Sequence, residues 1–353
     1  MAGVGSPRDD GRILVVGMGR SGAAAAMAAL KELPGVGVVV SDEKEEPLAS
    51  ADVSALGEAG VSVELGRGDP GLLEGCGLVV KSPGVPRQNP LIEEALSRGI
   101  PVWGEVEFAR RFLGNVIVGI TGTNGKTTTA ELVGHILTEA GKPCRVAGNV
   151  GTALSSLVGS VEDDEVLVVE LSSFQLEDSI DFRPDVAVLL NLAEDHLDRH
   201  GTLDEYFDAK MRIFANQGGD DAAVLNFDDA NIRSREVPGA GASVWFSGAD
   251  AGEAGARPGE PGKALPSVFV RGGAICADVG AVLKAGEGAR SRLAGGAVPR
   301  ETGGEKTGQG RNGFSGGEDA QVILVWREAA LKGDHNLENA LAATAACLCL
   351  GVE

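Results

Sequence analysis

A glycine loop that contains the triplet Gly-Lys-Thr constrains this chain more than any other feature. The apolar residues 116–120 run directly into the sequence TGTNGKTTT, Thr121–Thr129, and an amphipathic segment follows. A strand, such a loop and a helix in this order are typical of P-loop proteins, in which backbone N–H groups cradle phosphates. Lys126 would reach the β- and γ-phosphates, and the Thr127 hydroxyl would ligate Mg²⁺. Ile120 replaces the first glycine of the general pattern, so a purely structural turn is the alternative.

A second glycine loop, Gly17–Gly22 with the sequence GMGRSG, lies near the N-terminus between a short apolar segment and an alanine-rich one. It matches the G-x-G-x-x-G pattern, and Asp42 follows twenty residues after Gly22, at the end of the next apolar segment. Such a loop brings a nucleotide diphosphate close to a helix N-terminus. Taken alone it indicates NAD or FAD, but it fits any nucleotide diphosphate. A tight turn without a ligand is the structural alternative.

Apolar strand-like segments alternate with helical ones in both halves of the chain, which predicts parallel sheets of the α/β class. We predict an N-terminal Rossmann-like domain over residues 1–113 and a P-loop-type central ATPase domain over residues 114–353. In the first domain a helix is predicted over Ala23–Leu33. In the second, Ser267–Ile275 is a single strand-like segment. Residues 286–318 are rich in glycine and poor in large apolar residues, which predicts a mobile loop.

Three further residues are candidates for chemistry. Glu170 ends an apolar segment, so its carboxylate is expected at the C-terminal end of a parallel strand, where it would bind Mg²⁺ or, alternatively, cap a helix. His196 follows the next strand and is a metal or substrate ligand or a surface-loop residue. Lys210 lies on the apolar face of a helix that begins with the capping box Thr202–Glu205. An ammonium buried there is costly unless it is paired or modified, and the alternative is a buried stem with its head in water.

Composition excludes one class of partner and indicates a compartment. The 353 residues include 51 acidic and 31 basic ones, a net charge of −20, whereas nucleic-acid binding needs clustered Lys and Arg. The N-terminus has no apolar core of a signal peptide, and no apolar run is long enough to span a bilayer. The five cysteines form no C-x-x-C pair, which fits a reducing compartment. We expect a soluble cytoplasmic monomer that neither binds nucleic acid nor inserts into membranes.

Four segments together resemble the Mur ligases in order and spacing. They are Thr121–Thr129 (TGTNGKTTT), Glu170–Leu176 (ELSSFQL), Asp195–Phe214 (DHLDRHGTLDEYFDAKMRIF) and Gly333–Leu341 (GDHNLENAL). The SSFQL sequence, together with the upstream GMGRSG and SPGV motifs, resembles the D-glutamate-adding members of that family. The resemblance covers nearly the whole chain outside residues 286–318.

The resemblance implies roles for particular residues. The UDP part of UDP-N-acetylmuramoyl-L-alanine would bind the first domain at Gly19, Arg20, Ser21, Gly22, Asp42, Ser82, Pro83 and Gly84. The ATP triphosphate would bind Thr123, Asn124, Gly125, Lys126, Thr127, Thr128 and Thr129, with Asn336 and Asn339 near the adenine. One Mg²⁺ would bind Thr127 and Glu170, and a second would bind His196 and Lys210, the lysine being carbamylated by CO₂. The muramoyl-alanine part would contact Asn149, Ser172 and His196. The catalytic residues implied are Lys126, Glu170, His196 and Lys210.

The implied activity is the ATP-dependent ligation of D-glutamate to UDP-N-acetylmuramoyl-L-alanine through an acyl phosphate, in peptidoglycan precursor synthesis. In this family a third domain, which binds the incoming amino acid, follows the helix of Gly333–Leu341, and this sequence ends soon after that helix. One alternative is therefore a shortened protein that holds the UDP substrate and ATP without ligating. An NAD-dependent oxidoreductase is another, although hydride transfer needs no triphosphate-binding loop.

Overall fold

The structure is a computed structural model with two α/β sheets, one of five strands and one of nine. It describes residues 11–45, 53–66, 68–195, 197–250, 266–294, 321–324 and 333–352. The two sheets confirm the predicted α/β class. In these ranges no helix combines the length and the apolar character needed to cross a bilayer.

The five strands of the first sheet are all parallel and lie in the order β3-β2-β1-β4-β5. They are β1 (Arg12–Val16), β2 (Val38–Asp42), β3 (Ser62–Leu65), β4 (Cys76–Lys81) and β5 (Val102–Gly104). The associated helices are α1 (Arg20–Glu32), α2 (Val53–Glu58), α3 (Pro90–Ser97) and α4 (Glu105–Arg110). Because β1 has β2 on one side and β4 on the other, the strand order reverses where the first glycine loop begins. Open α/β sheets bind ligands at such points.

The second sheet has the order β14-β13-β12-β11-β10-β9-β6-β8-β7. Its strands are β6 (Ile117–Thr121), β7 (Cys144–Gly148), β8 (Val166–Glu170), β9 (Val186–Leu189), β10 (Ala222–Asn226), β11 (Ala242–Asp250), β12 (Val268–Arg271), β13 (Ala274–Ala277) and β14 (Gln321–Leu324). The pairs β12–β13 and β13–β14 are antiparallel, and the other pairs are parallel. Strand β6 lies between β8 and β9, so the P-loop that follows it also stands at a reversal of strand order.

Eight helices are described in this second part of the chain. They are α5 (Lys126–Glu139), α6 (Ser173–Leu176), α7 (Leu197–His200), α8 (Leu203–Met211), α9 (Ala230–Arg233), α10 (Val279–Ala285), α11 (Glu287–Leu293) and α12 (Asp334–Cys349). Short 3-10 segments occupy Pro70–Leu73, Leu154–Leu157 and Arg212–Phe214. Helix α12 packs on α5 and β11 through a buried face made mostly of alanines, whose small side chains permit close approach.

The two sheets are joined by a shared apolar core and by one buried carboxylate. The core is continuous from Ile13 in the first sheet to Leu171 beside the second, and α1 and α4 both pack on the segment Leu154–Leu157. Glu107 of α4 is 1% exposed and accepts hydrogen bonds from the backbone N–H groups of residues 180–182, at 2.9–3.0 Å. This carboxylate replaces the solvent that these three donors would otherwise need.

Two local predictions are corrected by the structure. Helix α1 begins at Arg20 and not at Ala23, so the glycine loop itself supplies the start of the helix. The single strand-like segment Ser267–Ile275 is part of a hairpin of β12 and β13. Gly272 and Gly273 have φ values of 58° and 79°, and they form the turn that the apolar pattern concealed.

The predicted loop 286–318 is wrong at its beginning, because α11 occupies Glu287–Leu293. Its guanidinium groups fix the helix: Arg290 donates to the carbonyl of Cys349 at 3.1 Å, and Arg292 pairs with Asp185. Low apolar content misled the prediction, since ion pairs rather than large apolar side chains hold this helix. Residues 295–318 lie outside the described ranges.

We predict that Glu107→Ala lowers the free energy of unfolding by about 2–4 kcal/mol, because three N–H donors, one of them buried and two partly buried, lose their acceptor. Glu94→Ala is the control. Glu94 lies in an exposed pair with Arg98, in which both side chains are more than a third exposed, so its loss should change stability by less than about 0.5 kcal/mol. Urea unfolding of both variants measures the difference, and equal effects would show that Glu107 does not join the two sheets.

Candidate functional site

A cavity of about 430 Å³ opens where β1, β2 and β4 end. Its walls are formed by Val16, Gly17, Gly19, Arg20, Ser21, Ser41, Asp42, Glu43, Lys44, Gly68, Ser82, Pro83, Gly84, Val85, Pro86, Asn89, Leu91, Asn149 and Gln175. All but the last two residues belong to the first sheet and its loops. Asn149 and Gln175 come from the second sheet, so the cavity is shared between the two halves of the chain.

The first glycine loop is held against the SPGV loop, Ser82–Val85. The Ser82 hydroxyl donates to the Gly17 carbonyl at 2.7 Å, and a side chain at Gly22 would collide with both groups. Helix α1 starts at the cavity without a capping side chain, so its first N–H groups face a place where an anion is stabilised. Gly22 therefore supports the site from behind and does not line the cavity.

Asp42 has a different role from a simple ligand to a ribose. One of its carboxylate oxygens accepts from the N–H of Met18 at 2.7 Å, and the other accepts from the N–H of Lys44 at 3.0 Å. The side chain thus fixes the glycine loop to the end of β2 while it lines the cavity. The side chain of Arg20 connects the glycine loop to the second half of the chain, since it donates to the carbonyl of Gly151 at 3.0 Å.

The P-loop is closed on itself by its own lysine. Gly125 has a φ of 84° and ends the loop, and α5 begins at Lys126. The ammonium of Lys126 donates to the carbonyls of Gly122 at 3.0 Å and Thr123 at 2.8 Å. Burial lowers the pKa of Lys126, and the charges of Glu170 and Asp195 oppose this shift.

Glu170 joins the P-loop to the loop that closes the cavity. Its Oε2 accepts from the Thr127 hydroxyl at 2.7 Å, and its Oε1 accepts from the Asn149 amide at 3.0 Å. Three residues predicted from separate parts of the sequence are thus in direct contact. A P-loop threonine, one carboxylate, phosphate oxygens and water are a donor set that suits Mg²⁺, and the donors of this chain therefore fit the ion.

Lys210 is 2% exposed, as its place on the apolar face predicted. Its ammonium donates to the Gly122 carbonyl at 2.8 Å and lies 4.7 Å from the centre of the Tyr206 ring. The pKa of Lys210 is lowered to about 7, chiefly by burial and also by the nearby charge of Lys126, while the charge of Asp195 opposes the shift. The interpretation of Lys210 as a snorkelling lysine is therefore wrong, because its head is not in water.

The remaining predicted ligands are placed in three ways. Asn339 of α12 is 4% exposed and packs directly on Gly125, and Asn336 lies half-buried one turn earlier. The Ser172 hydroxyl caps α6 in a capping box with Gln175. Thr129 is fully buried, and its backbone N–H donates to the Gly125 carbonyl. The ligand roles of these residues stay predictions.

His196 lies outside the described residues, and the second metal site is therefore not tested. In the described ranges no three His, Cys, Asp or Glu side chains cluster as a metal site. The proposed first Mg²⁺ needs no such cluster, because phosphate and water supply most of its ligands.

Sequence reasoning missed three residues of the site. Asn191 exchanges two hydrogen bonds with the backbone of Asn124, at 2.8 and 3.1 Å. The Tyr206 hydroxyl donates to the Thr123 hydroxyl at 3.2 Å, and Gln175 lines the cavity. Asn191 follows a strand as Glu170 does, so its position at the strand end was a usable signal. Tyr206 gave none beyond its place on an apolar helix face.

Comparisons with known proteins agree over both halves. Residues 11–104 match the family model described as "Mur ligase MurD-like, N-terminal domain", and residues 120–260 match "Mur ligase middle domain". A protein of Pelotomaculum thermopropionicum named UDP-N-acetylmuramoylalanine--D-glutamate ligase is 38% identical over 343 residues, which are 97% of this chain and 64% of that protein. A protein of the same name from Anaeromyxobacter dehalogenans is 47% identical over 260 residues, 71% of this chain and 54% of the relative.

Among solved structures, a UDP-N-acetylmuramate:L-alanyl-gamma-D-glutamyl-meso-diaminopimelate ligase from Neisseria meningitides is similar, with a TM-score of 0.53 and 19% identity. The match covers 97% of this chain and 94% of that one, and it supports the fold alone. The chain spans 64% or less of the length of the two relatives named above.

We predict that Lys126→Met raises the pKa of Lys210, because it removes the nearby positive charge that disfavours the protonated amine. NMR titration of lysine-labelled protein measures this, and Lys142→Met, just beyond the other end of α5, is the control that should leave the pKa unchanged. The folded pKa of about 7 lies below the ordinary 10.5, so the unfolded chain binds more protons between these values and stability rises with pH there. An unchanged Lys210 titration in Lys126→Met would contradict the contact between the two lysines.

Proposed function

Because this chain belongs to the Mur ligase family, we propose that it takes part in joining D-glutamate to UDP-N-acetylmuramoyl-L-alanine with ATP, through an acyl phosphate. One observation carries this proposal. Asn149 lines the cavity of the first sheet and also donates to Glu170 at the P-loop. A substrate whose nucleotide end lies in that cavity would therefore have its other end beside the phosphate-binding loop.

The cavity suits the uridine diphosphate end of such a substrate. The uncapped start of α1 and the side chain of Arg20 offer positive charge to the diphosphate. The SPGV loop forms the wall opposite, with Gly84 lacking a side chain that would narrow the cavity. Asn149 and Gln175 line the cavity from the second sheet, and the muramoyl-alanine part would extend past Asn149 toward Glu170.

The first chemical step brings two anions together. An oxygen of the alanine carboxylate attacks the γ-phosphorus of ATP, ADP leaves, and an acyl phosphate forms. Repulsion between the carboxylate and the triphosphate opposes this step, so the site needs fixed positive charge and aligned N–H donors. Lys126 and the start of α5 supply both, because the ammonium can exchange its two loop carbonyls for phosphate oxygens.

Thr127 and Glu170 would hold Mg²⁺ after exchanging their mutual hydrogen bond for the ion. When bound, the ion supplies charge neutralisation of the phosphates. Asn149 keeps the carboxylate of Glu170 oriented through its other oxygen. The protein thus presents the carboxylate in a fixed direction and leaves one of its oxygens for exchange.

We further propose that Lys210 carries a carbamate formed with CO₂. A neutral amine attacks CO₂, loses a proton and becomes a carbamate, and burial that lowers the pKa of Lys210 to about 7 makes the neutral amine available. The carbamate nitrogen keeps one N–H, which can still donate to the Gly122 carbonyl. The carbamate would replace the positive charge of Lys210 beside Lys126 with a negative one. Its oxygens would also be ligands for a second Mg²⁺, together with His196.

In the second step the amine of D-glutamate attacks the acyl carbonyl, phosphate leaves, and the nitrogen loses a proton. The P-loop, Glu170 and Asn149 serve the first step, and orientation of the amine is a separate requirement that contributes on the order of 7–11 kcal/mol. Because the chain spans 64% of the first relative, binding of both nucleotides without ligation is the second candidate function.

The first step can be tested without D-glutamate. Hydroxylamine attacks an acyl phosphate and gives a stable hydroxamate, so the protein with ATP, Mg²⁺, bicarbonate and UDP-N-acetylmuramoyl-L-alanine should yield the hydroxamate of that substrate. Lys126→Met should lower its rate by at least about 100-fold, and Lys142→Met should not change it. Absence of hydroxamate with the unaltered protein, despite binding of both nucleotides, would contradict acyl-phosphate formation.

Titration distinguishes the proposal from an oxidoreductase. We expect UDP-N-acetylmuramoyl-L-alanine and UDP to bind the protein, with the former tighter because it reaches both halves of the cavity. NADH should bind more weakly than either, since the amides of Asn149 and Gln175 line the cavity and Asn149 also contacts Glu170 beside the P-loop. Isothermal titration calorimetry measures the three affinities, and tighter NADH binding would favour the oxidoreductase.

A further inference from the structure

A fully buried lysine lies beside the cavity and belongs to none of the roles above. Lys81 is the last residue of β4, directly before the SPGV loop, and it is 0% exposed. Its ammonium lies 2.6 Å from the Asp178 carboxylate and donates to the Val85 carbonyl at 2.8 Å. Asp178 follows α6 in the other half of the chain, so this ion pair crosses between the two sheets.

The same carbonyl is held from the other half by a second cation. Arg199 of α7 donates to the Val85 carbonyl at 3.0 Å and to the Glu177 carboxylate at 3.3 Å. Its guanidinium lies 4.1 Å from the centre of the Phe174 ring. The last residue of the SPGV loop is therefore fixed by one cation from its own strand and one from the opposite half.

A glycine makes the approach of Asp178 possible. Gly104 of β5 is the register partner of Lys81, and a methyl group at Gly104 would stand 2.9 Å from the Cβ of Asp178. Contacts that close are not found between real side chains, so any larger residue at Gly104 would push Asp178 away from Lys81. The buried Lys81 therefore has a glycine, Gly104, as its neighbour on the adjacent strand, which leaves room for Asp178.

We infer that Lys81 is a positioning residue that acts through Val85: it fixes the SPGV loop relative to Asp178 and so sets the separation between the two halves of the substrate cavity. The SPGV loop lines that cavity from the first sheet, and Gln175, just before Asp178, lines it from the second. This inference rests on the proposed function, because only a ligand that reaches both halves requires them at a fixed separation.

The Lys81–Asp178 ion pair, which we call the lock, holds the two halves in place before the ligand binds, and this preorganisation is its physical advantage. A ligand with two binding ends gains from the second end only if that end is already near its partner, which a rigid connection ensures. Without the lock, binding would have to order the two halves at the moment of association, and affinity would fall by that cost. The affinity for a ligand that contacts only one half would stay the same. The affinity for the long ligand relative to the short one therefore reports the lock.

Lys81→Met tests this, because methionine keeps much of the lysine stem and removes the charge. Asp178 keeps a partner in Arg87, whose Nε lies 3.0 Å from it. We expect UDP-N-acetylmuramoyl-L-alanine to bind at least about 20-fold more weakly, while the affinity for UDP changes by less than about twofold. Gly104→Ala should give the same pattern although it leaves every charged residue in place.

Arg87→Met is the matched control, since Arg87 binds the same carboxylate but is 53% exposed and does not touch Val85 through any hydrogen bond described. It should weaken the binding of the long ligand by no more than about threefold. Unchanged affinity of Lys81→Met for UDP-N-acetylmuramoyl-L-alanine would overturn the inference alone, and so would an equal loss for UDP, which indicates general unfolding. If the unaltered protein binds UDP but gains nothing from the muramoyl-alanine part, the proposed function fails and the inference with it.

Discussion

The arrangement of the site depends on the carboxylate of Glu170. It stands at the end of β8 with Ile120 of β6 on one side and Gly148 of β7 on the other as register partners. Gly148 has a φ of 118° and approaches the Glu170 backbone so closely that a side chain has no room. The chain can therefore turn at once into Asn149, which reaches back to Glu170. The Glu170 carboxylate thus accepts one hydrogen bond from Thr127 of the P-loop and one from Asn149, which lines the cavity.

The features that could be predicted from the sequence are those that depend on residues close together in the chain. The P-loop, the capping box of α8 and the apolar face that carries Lys210 each follow from fewer than twenty consecutive residues, and all three were confirmed. The strand-end position of Glu170 predicted a carboxylate beside the P-loop, and the resemblance implied that it shares one Mg²⁺ with Thr127; in the structure the two side chains are in direct contact.

What could not be predicted joins residues far apart in the chain. Neither the pair Lys81–Asp178 nor the bond from Arg20 to Gly151 leaves a trace in local periodicity, since each depends on how the two halves dock. The hairpin around Gly272 was missed because the apolar residues on both sides of Arg271-Gly272-Gly273 were interpreted as one strand, although two adjacent glycines are a turn signal. Helix α11 was missed for the opposite reason, because buried ion pairs stabilise it where apolar side chains are few.

Two buried lysines, Lys81 and Lys210, and the partly buried Lys126 lie in environments that give them different roles. Removing an ammonium from water is unfavourable in each case, and burial lowers the pKa of Lys81, Lys126 and Lys210 alike. Lys81 lies 2.6 Å from the Asp178 carboxylate, whose charge opposes the lowering of its pKa, and it acts as a fixed structural contact. Lys126 has the carboxylates of Glu170 and Asp195 to favour its charge, as a phosphate-binding cation requires.

The pKa of Lys210 falls to about 7, chiefly because burial disfavours the ammonium and also because the charge of Lys126 lies nearby, at the same Gly122 carbonyl. Two ammonium groups that donate to one carbonyl repel each other, and the pair is relieved when one of them is neutral. The environments of Lys126 and Lys210 thus separate their protonation states, which is how neighbouring titratable groups acquire different roles. Lys126, whose charge two carboxylates favour, is the lysine at the phosphate-binding loop, and Lys210, whose pKa falls to about 7, is the one for which a carbamate is proposed.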